Sequence, residues 1–262
     1  MSVLVKIVVP IYRKVLPKPE QEALLNNVSK LSRYPIVLLA PEGLDIQSVE
    51  KLVPKAEVVR VSEEWIGSKN GIAGYNTMMM SERFYQLFSD ADYILICHTD
   101  AWIFKDDLEA WCKKGFDCVA APWIRRKRYD MPILKQYMAF MRWIAHVQGK
   151  PSRQMIYGKI GNGGLSLRKV SSFARECKNQ AELIRKYLSV RSHLYNEDVF
   201  WAMEPQDFSY PTEKEALAFA FDTNPAYCYR FMHNQLPMGC HSWNKSRMYR
   251  FWKNFIPIDL SK

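Results

Sequence analysis

Four short stretches hold the residues best suited to chemistry. In YILICHTDAWIF (Tyr93–Phe104) an apolar run ends in an imidazole, a hydroxyl and a carboxylate: His98, Thr99 and Asp100. If Ile94 to Cys97 is a strand buried on both faces, this triplet sits at its carboxyl end, where open α/β sheets hold ligands. A carboxylate buried alone there is disfavoured by several kcal/mol, so Asp100 needs a partner, either the turn it caps or a bound cation. In GNGGLSLR, Gly161, Gly163 and Gly164 offer no side chain, while Asn162 supplies both donor and acceptor groups. That permits close approach of the backbone to a ligand, and the same glycines would serve a tight turn before an LSLR strand. NED (Asn196–Asp198) reads as a helix start, with Asn196 as the cap and two acids favoured by the helix dipole. Late in the chain stand two histidines, His233 in RFMHNQ and His241 in GCHSW.

The elements that must position these residues alternate between two periodicities. VLVKIVVPIY, PIVLLA, EVVRV, YILIC and DCVAAP read as strands. Between them PEQEALLNNVSKL places Leu24, Leu25, Val28 and Leu31 on one helical face, and DIQSVEKLV is a second helix. GIAGYNTMMMSERFYQLF reads as a third, turning Ile72, Tyr75, Met79 and Phe84 inward, with Met78 to Met80 as core filler. Strand following helix through residue 121 predicts a mostly parallel sheet covered on both faces. RKVSSFAREC and the segment from NED onward add helices in the second half.

Between DCVAAP and GNGG the rhythm breaks. Residues 123–158 are too long for an ordinary connection and rich in basic and aromatic side chains, opening with Arg125-Arg126-Lys127-Arg128. On a helix, MPILKQYMAFMRWIAHV aligns Lys135, Arg142 and His146 in one narrow stripe, leaving Ile133, Leu134, Tyr137, Met138, Met141 and Ile144 on a wide apolar face. Such a helix packs on its own domain, on a partner, or on a membrane surface.

At 262 residues and 48% hydrophobic composition the chain has an ample core, and no apolar run approaches the ~18 residues of a membrane span. Met1 to Pro10 lacks the basic start and small-residue cleavage site of a leader. Six cysteines without CxxC spacing read as reduced thiols of a cytosolic protein. The formal charge of +10 predicts anionic partners: nucleotide phosphates, nucleic acid or an anionic membrane. No P-loop and no GxGxxG after the first strand is present.

The ordered set of a strand ending in HTD, then GNGGLSLR, then NED opening a helix, then GCHSW resembles the GT-A-fold glycosyltransferases, over Val5 to about Trp243. More narrowly it resembles a poorly characterised GT-A-like group found among bacterial polysaccharide biosynthesis proteins, which shares the strand-end TD, an APW segment, GNGG and ED. The resemblance implies one GT-A-like (Rossmann-like) α/β domain over 1–262, with the basic-aromatic insert at about 123–158 and a C-terminal closing segment at about 225–262. It implies a metal-dependent glycosyltransferase of hexosyltransferase type. Such an enzyme moves a sugar from a nucleotide-sugar, UDP-linked by this reading, to a glycan or lipid-linked glycan in surface polysaccharide synthesis.

The same resemblance distributes roles. GT-A enzymes usually carry DxD at the strand end; here the first acid is replaced by His98, so Asp100 is the metal candidate and His98 contacts metal, ribose or only its neighbours. His241 matches the C-terminal histidine that closes on the same metal, with His233 its competitor. Mn²⁺ or Mg²⁺ suits hard oxygen ligands, and Mn²⁺ accepts imidazole more readily. Pro10, Tyr12 and Arg13 at the end of the first strand, with Asn76, Thr99, Asn162, Gly163, Gly164 and Lys245, line the donor pocket. Gly239 admits the backbone to the phosphates. Glu197 binds acceptor and Asp198 is the base, in the manner of inverting enzymes, although retaining members carry a similar acidic segment. The implied place is cytoplasmic, peripheral at the inner face of an anionic membrane. Two rival readings are a non-catalytic carbohydrate-binding relative, prompted by the incomplete DxD, and a nucleic-acid-binding protein. The latter lacks any RNA-binding signature, so nucleic acid is not expected as a partner.

Overall fold

The computed structural model describes residues 4–67, 69–148 and 151–260. The first residues of the opening strand segment, Ser68, and Gly149 with Lys150 of the insert lie outside the described residues.

Six strands form the main sheet: β1 (Val5–Pro10), β2 (Ile36–Pro41), β3 (Glu57–Val61), β4 (Tyr93–Cys97), β6 (Cys118–Ala120) and β7 (Leu165–Lys169), in the order β3-β2-β1-β4-β7-β6. β1 to β4 run parallel, and β7 alone runs against its neighbours β4 and β6. Alternation of side chains divides the sheet's residues between two cores. Val5, Ile7, Val9, Leu38, Leu95 and Leu167 face one, while Val8, Val37, Leu39, Ile94 and Ile96 face the other. The helix Lys18–Lys30 covers the first face through Leu24 and Leu31; Leu25, expected inward, is exposed. Met78, Met79 and Met80 fill the second core with Phe84, Tyr85 and Phe88.

Two helical readings need correction. The stretch 71–88 is not one helix but two, Gly71–Met79 and Glu82–Gln86, because Ser81 turns extended between them. Ile72 lies at the first turn of the former and is 63% exposed, not inward. All six cysteines are free and buried, as the reduced-thiol reading requires.

A second sheet escaped the sequence reading: β5 (Ala101–Ile103), β9 (Gly239–His241) and β8 (Ala220–Phe221), ordered β5-β9-β8. Its strands are two or three residues long, too short to show a period. It docks the C-terminal segment beside the strand end of β4. Trp102, Phe221, Cys240, Trp243 and Trp252 close a separate core there.

The insert forms the helix Pro132–Val147, none of whose 16 residues is buried. Leu134, Met138, Ile144 and Ala145 are half-buried, and Gln154 Nε2 donates to the Met138 carbonyl at 2.6 Å, so the contact with the rest of the chain is shallow and one-sided. Ile133, Tyr137, Phe140 and Val147 stand on one exposed stripe, and Trp143 stacks beside Phe140. Among the described residues no helix is long and apolar enough to cross a membrane.

Candidate metal and catalytic site

His98, Thr99 and Asp100 occupy the turn between β4 of the large sheet and β5 of the small one. Ala101 pairs with His241 in the β5–β9 ladder, so the small sheet carries the late histidine directly to the strand-end carboxylate. His241 Nε2 lies 3.1 Å from Asp100 Oδ1, and the Ser242 N–H donates to the Asp100 carbonyl at 3.0 Å. On the other side the β4–β7 ladder extends one step, the His98 N–H donating to the Gly164 carbonyl at 2.9 Å. One ligand atom each from His98, Asp100 and His241 then falls within 4.8 Å of the others. His233 is exposed and stands apart from this group.

The surroundings set the charge of each member. Burial and the neighbouring His241 push the His98 imidazole down to about 4, so it is neutral near pH 7. Its Nε2 meets the Tyr75 hydroxyl at 2.9 Å. Burial opposes ionisation of Asp100, yet His241 and His98 hold it well below the usual carboxylate range. Burial likewise disfavours a charged His241, but Asp100 and Asp222 outweigh it and raise the group to about 9. Asp222 follows β8 and holds His241 Nδ1 at 3.3 Å, the outer carboxylate that commonly orients a metal-binding histidine. Ser242 Oγ also approaches Nδ1, at 3.2 Å, and accepts from Lys245 Nζ at 2.8 Å. A cation would have to displace the proton of His241; two imidazoles and an ionised carboxylate would then form a donor set that fits Mn²⁺ well and Mg²⁺ less well.

The glycines of GNGG are required by protein groups. A Cβ on Gly164 would lie 2.1 Å from His241 Nε2, and one on Gly163 would lie 2.4 Å from Glu197 Oε1. One on Gly161 would meet the Trp123 ring at 2.5 Å and the Asp198 carbonyl at 2.9 Å. Asn162 Oδ1 accepts from the Gly164 and Leu165 N–H groups at 3.0 and 3.4 Å, closing the turn from within. Gly239 faces the Leu165 and Ile103 side chains within the fold.

The acidic pair divides. Glu197 is buried and both its oxygens meet the buried Arg168, at 2.9 and 3.1 Å. Arg168 is held further by the Tyr85 hydroxyl at 2.9 Å and by Ser166 Oγ at 3.0 Å. Asn196 does not cap its helix; the Glu197 N–H donates to Asn76 Oδ1 at 3.1 Å, and Asn76 Nδ2 donates to Asn196. Asp198 is only partly buried, and its side chain accepts from the Val199 N–H at 2.9 Å. Burial, then repulsion from Glu197, raises its carboxyl to about 7.

Thr99 donates a short hydrogen bond to buried Glu20, and Glu20 pairs with Arg13 at 3.3 Å. This chain ties the loop after β1 to the strand-end turn. Arg13 lies over the exposed Tyr12 ring at 5.2 Å. Burial raises the Tyr12 phenol, against the pull of Arg13, and the charges of Glu20 and Asp100 add to the rise. Pro10 ends β1, buried behind them. Tyr75 is expected inward by helical period but not as a partner of His98, and neither Arg168 nor Asp222 carries a sequence signal. Arg168 ends LSLR, where an arginine is ordinarily solvent-facing, and Asp222, a strand-end acid like Asp100, is hidden by the brevity of β8.

Residues 55–241 match the model of a family described as "Protein of unknown function (DUF5672)". The chain belongs to this family. No curated protein matches it in sequence. This DUF5672 chain is similar in structure to mouse xyloside xylosyltransferase 1 in its apo form, with a TM-score of 0.54 and 12% identity over 91% of this chain and 97% of that one. It is similar also to the galactosyltransferase LgtC in complex with donor and acceptor sugar analogs, with a TM-score of 0.54 and 12% identity over 98% of both chains. The bifunctional glycosyltransferase WbbM gives a TM-score of 0.54 and 13% identity over 92% of this chain and 46% of that one. At such identities the likeness establishes the fold, which is GT-A.

Proposed function

We propose that this chain is a metal-dependent glycosyltransferase using a nucleotide-sugar donor. The observation that carries the reading is the convergence of His98, Asp100 and His241 at the carboxyl end of β4 in a GT-A fold. These three residues would hold the cation, which when bound neutralises charge on a departing diphosphate. Lys245, exposed beside Ser242, supplies a further positive charge on the same side. Tyr12 offers an aromatic face for a uracil base and Arg13 a guanidinium for ribose or phosphate, so UDP is the nucleotide we favour. Asn76, Thr99, Asn162, Gly163 and Gly164 act one step behind the donor by fixing the backbone and side chains that touch it.

Asp198 is the base. Its carboxyl titrates near working pH and, with Glu197 bound to Arg168 and Asp222 turned to His241, it remains to accept a proton from an acceptor hydroxyl. We favour an inverting displacement, in which Asp198 takes the proton of the attacking acceptor hydroxyl, and a hexoside product. Glu197 is a positioning residue, holding the helix start that presents Asp198.

We place the acceptor among glycans or lipid-linked glycans of surface polysaccharide synthesis. Residues 1–262 act as one unit whose insert touches an anionic membrane from the cytoplasmic side. The uncovered stripe Ile133, Tyr137, Phe140 and Val147, with Lys135 and Arg142 on the opposite, polar face of the helix and the cations of 125–128 just before it, supports that contact. A thermal-shift screen of nucleotide-sugars with and without Mn²⁺ tests the function. A bound donor at about 100 times its Kd adds ~2.7 kcal/mol of stability. No metal-dependent shift with any nucleotide-sugar counts against it.

A further inference from the structure

An open cleft of about 960 Å³ separates the insert from the C-terminal segment. Arg126, Lys127, Arg128 and Arg153 line it from the insert, and Arg230, Arg247 and Arg250 from the other side. Among the described residues no carboxylate lines it, and none of these seven cations is ion-paired. Arg125, the remaining member of the basic run, is spent on Asp130 at 2.6 Å and does not line the cleft. Seven like charges around one space repel one another and raise the energy of the fold. An anion that accepts bidentate guanidinium contacts relieves this, and phosphate and diphosphate groups have that geometry.

The cleft is separate from the donor side. None of His98, Asp100, His241, Tyr12 or Arg13 lines it. It nevertheless abuts the reacting groups at two points. Trp123, on its wall, occupies the space above Gly161 that adjoins the Asp198 carbonyl, and Thr223, on the other wall, follows Asp222, the partner of His241. Tyr129 and Tyr157, also on the wall, stack on each other with ring centroids 6.0 Å apart, and Arg128 lies over Tyr129 at 5.3 Å, which fixes this basic-aromatic side of the cleft.

We infer that this cleft binds the phosphate or diphosphate of a phosphorylated saccharide acceptor, delivering its hydroxyl toward Asp198. The inference rests on the proposed glycosyl transfer for the word acceptor, but the anion site stands on its own geometry. Two sources carry this chemistry: a soluble glycosyl phosphate or diphosphate, and the same group on a lipid.

The test is calorimetric titration of inorganic pyrophosphate into the full chain in EDTA, which silences the metal centre. Wild type should bind. The double variant Arg230→Gln, Arg247→Gln should bind roughly tenfold or more weakly, having lost two charge-assisted contacts, while Asp100→Asn should bind like wild type. Competition then separates the sources. Displacement by a soluble glycosyl diphosphate supports one, and displacement only by a polyisoprenyl diphosphate in neutral vesicles supports the other. Displacement by neither, or by single-stranded RNA alone, overturns the inference, as does unchanged binding in the double variant. If pyrophosphate binds as stated but no nucleotide-sugar shows Mn²⁺-dependent binding, the glycosyltransferase reading fails while the anion site stands.

Discussion

Gly164 lies so close beneath His241 that a single methyl group at its Cα would stand 2.1 Å from Nε2. The glycine of GNGG thus clears space for an imidazole. Gly164→Ala must push the His241 ring aside, because the backbone there is locked into the ladder with His98. We expect the variant to fold, with a urea midpoint close to wild type, and to lose Mn²⁺ affinity by about 10- to 100-fold, the range for displaced support around a metal ligand. Calorimetry of Mn²⁺ binding checks it.

Asp198→Asn should leave donor affinity within a few-fold of wild type and lower transfer by ~100-fold or more. In wild type kcat should rise with pH through about 7 as the carboxyl ionises. Stability moves the other way. The folded chain keeps this proton to about 7, whereas the unfolded chain releases it near 3.8, so folding weakens as pH climbs between those values. Partial exposure limits the effect to a few kcal/mol at most. Asp198→Asn should therefore raise Tm at pH 8 and leave it almost unchanged at pH 3.5. Thermal melts at the two pH values decide.

Glu197→Gln should behave quite differently from its neighbour. It leaves the buried Arg168 without a counter-charge, which typically destabilises by about 3–5 kcal/mol; the retained amide places the expected loss near the lower figure. Urea unfolding measures it. A stability unchanged from wild type, with a raised KM for acceptor, would instead make Glu197 an acceptor ligand.

Much of this centre was legible in the sequence because it sits at strand ends, and strands of five or six apolar residues declare themselves. β4 and the turn after it placed Asp100, and GNGGLSLR placed β7. The β5–β9 pairing was not legible. Three-residue strands carry no period, so His241 could be assigned only through the family resemblance, and its partner Asp222 not at all. Cross-chain substitutions of role were equally hidden. Asn76 caps the helix that Asn196 was expected to cap, 120 residues away, because a cap needs only an oxygen in the right place.

The exposed stripe of the helix Pro132–Val147 should bring the protein to anionic vesicles. At low salt, wild type should sediment with phosphatidylglycerol vesicles and not with neutral ones, and part of this binding should survive high salt because apolar insertion is not screened. Phe140→Ser with Val147→Ser should abolish the salt-resistant part and leave pyrophosphate binding alone. Equal sedimentation of this variant and wild type at high salt would make the stripe a protein contact.

The most direct measurement of the central claim is donor binding by wild type and Asp100→Asn, each with Mn²⁺ and with EDTA. The substitution changes volume little, so the fold should survive, but it removes a counter-charge of His241, and the melting curve without donor should fall somewhat at neutral pH while staying cooperative. With wild type, a UDP-sugar should bind in Mn²⁺ and at least tenfold more weakly in EDTA, the loss of one ion–diphosphate contact being worth 1.4 kcal/mol or more on the order of such charged interactions. Asp100→Asn should bind at the weak level under both conditions. Tight, Mn²⁺-dependent binding by Asp100→Asn would contradict the account.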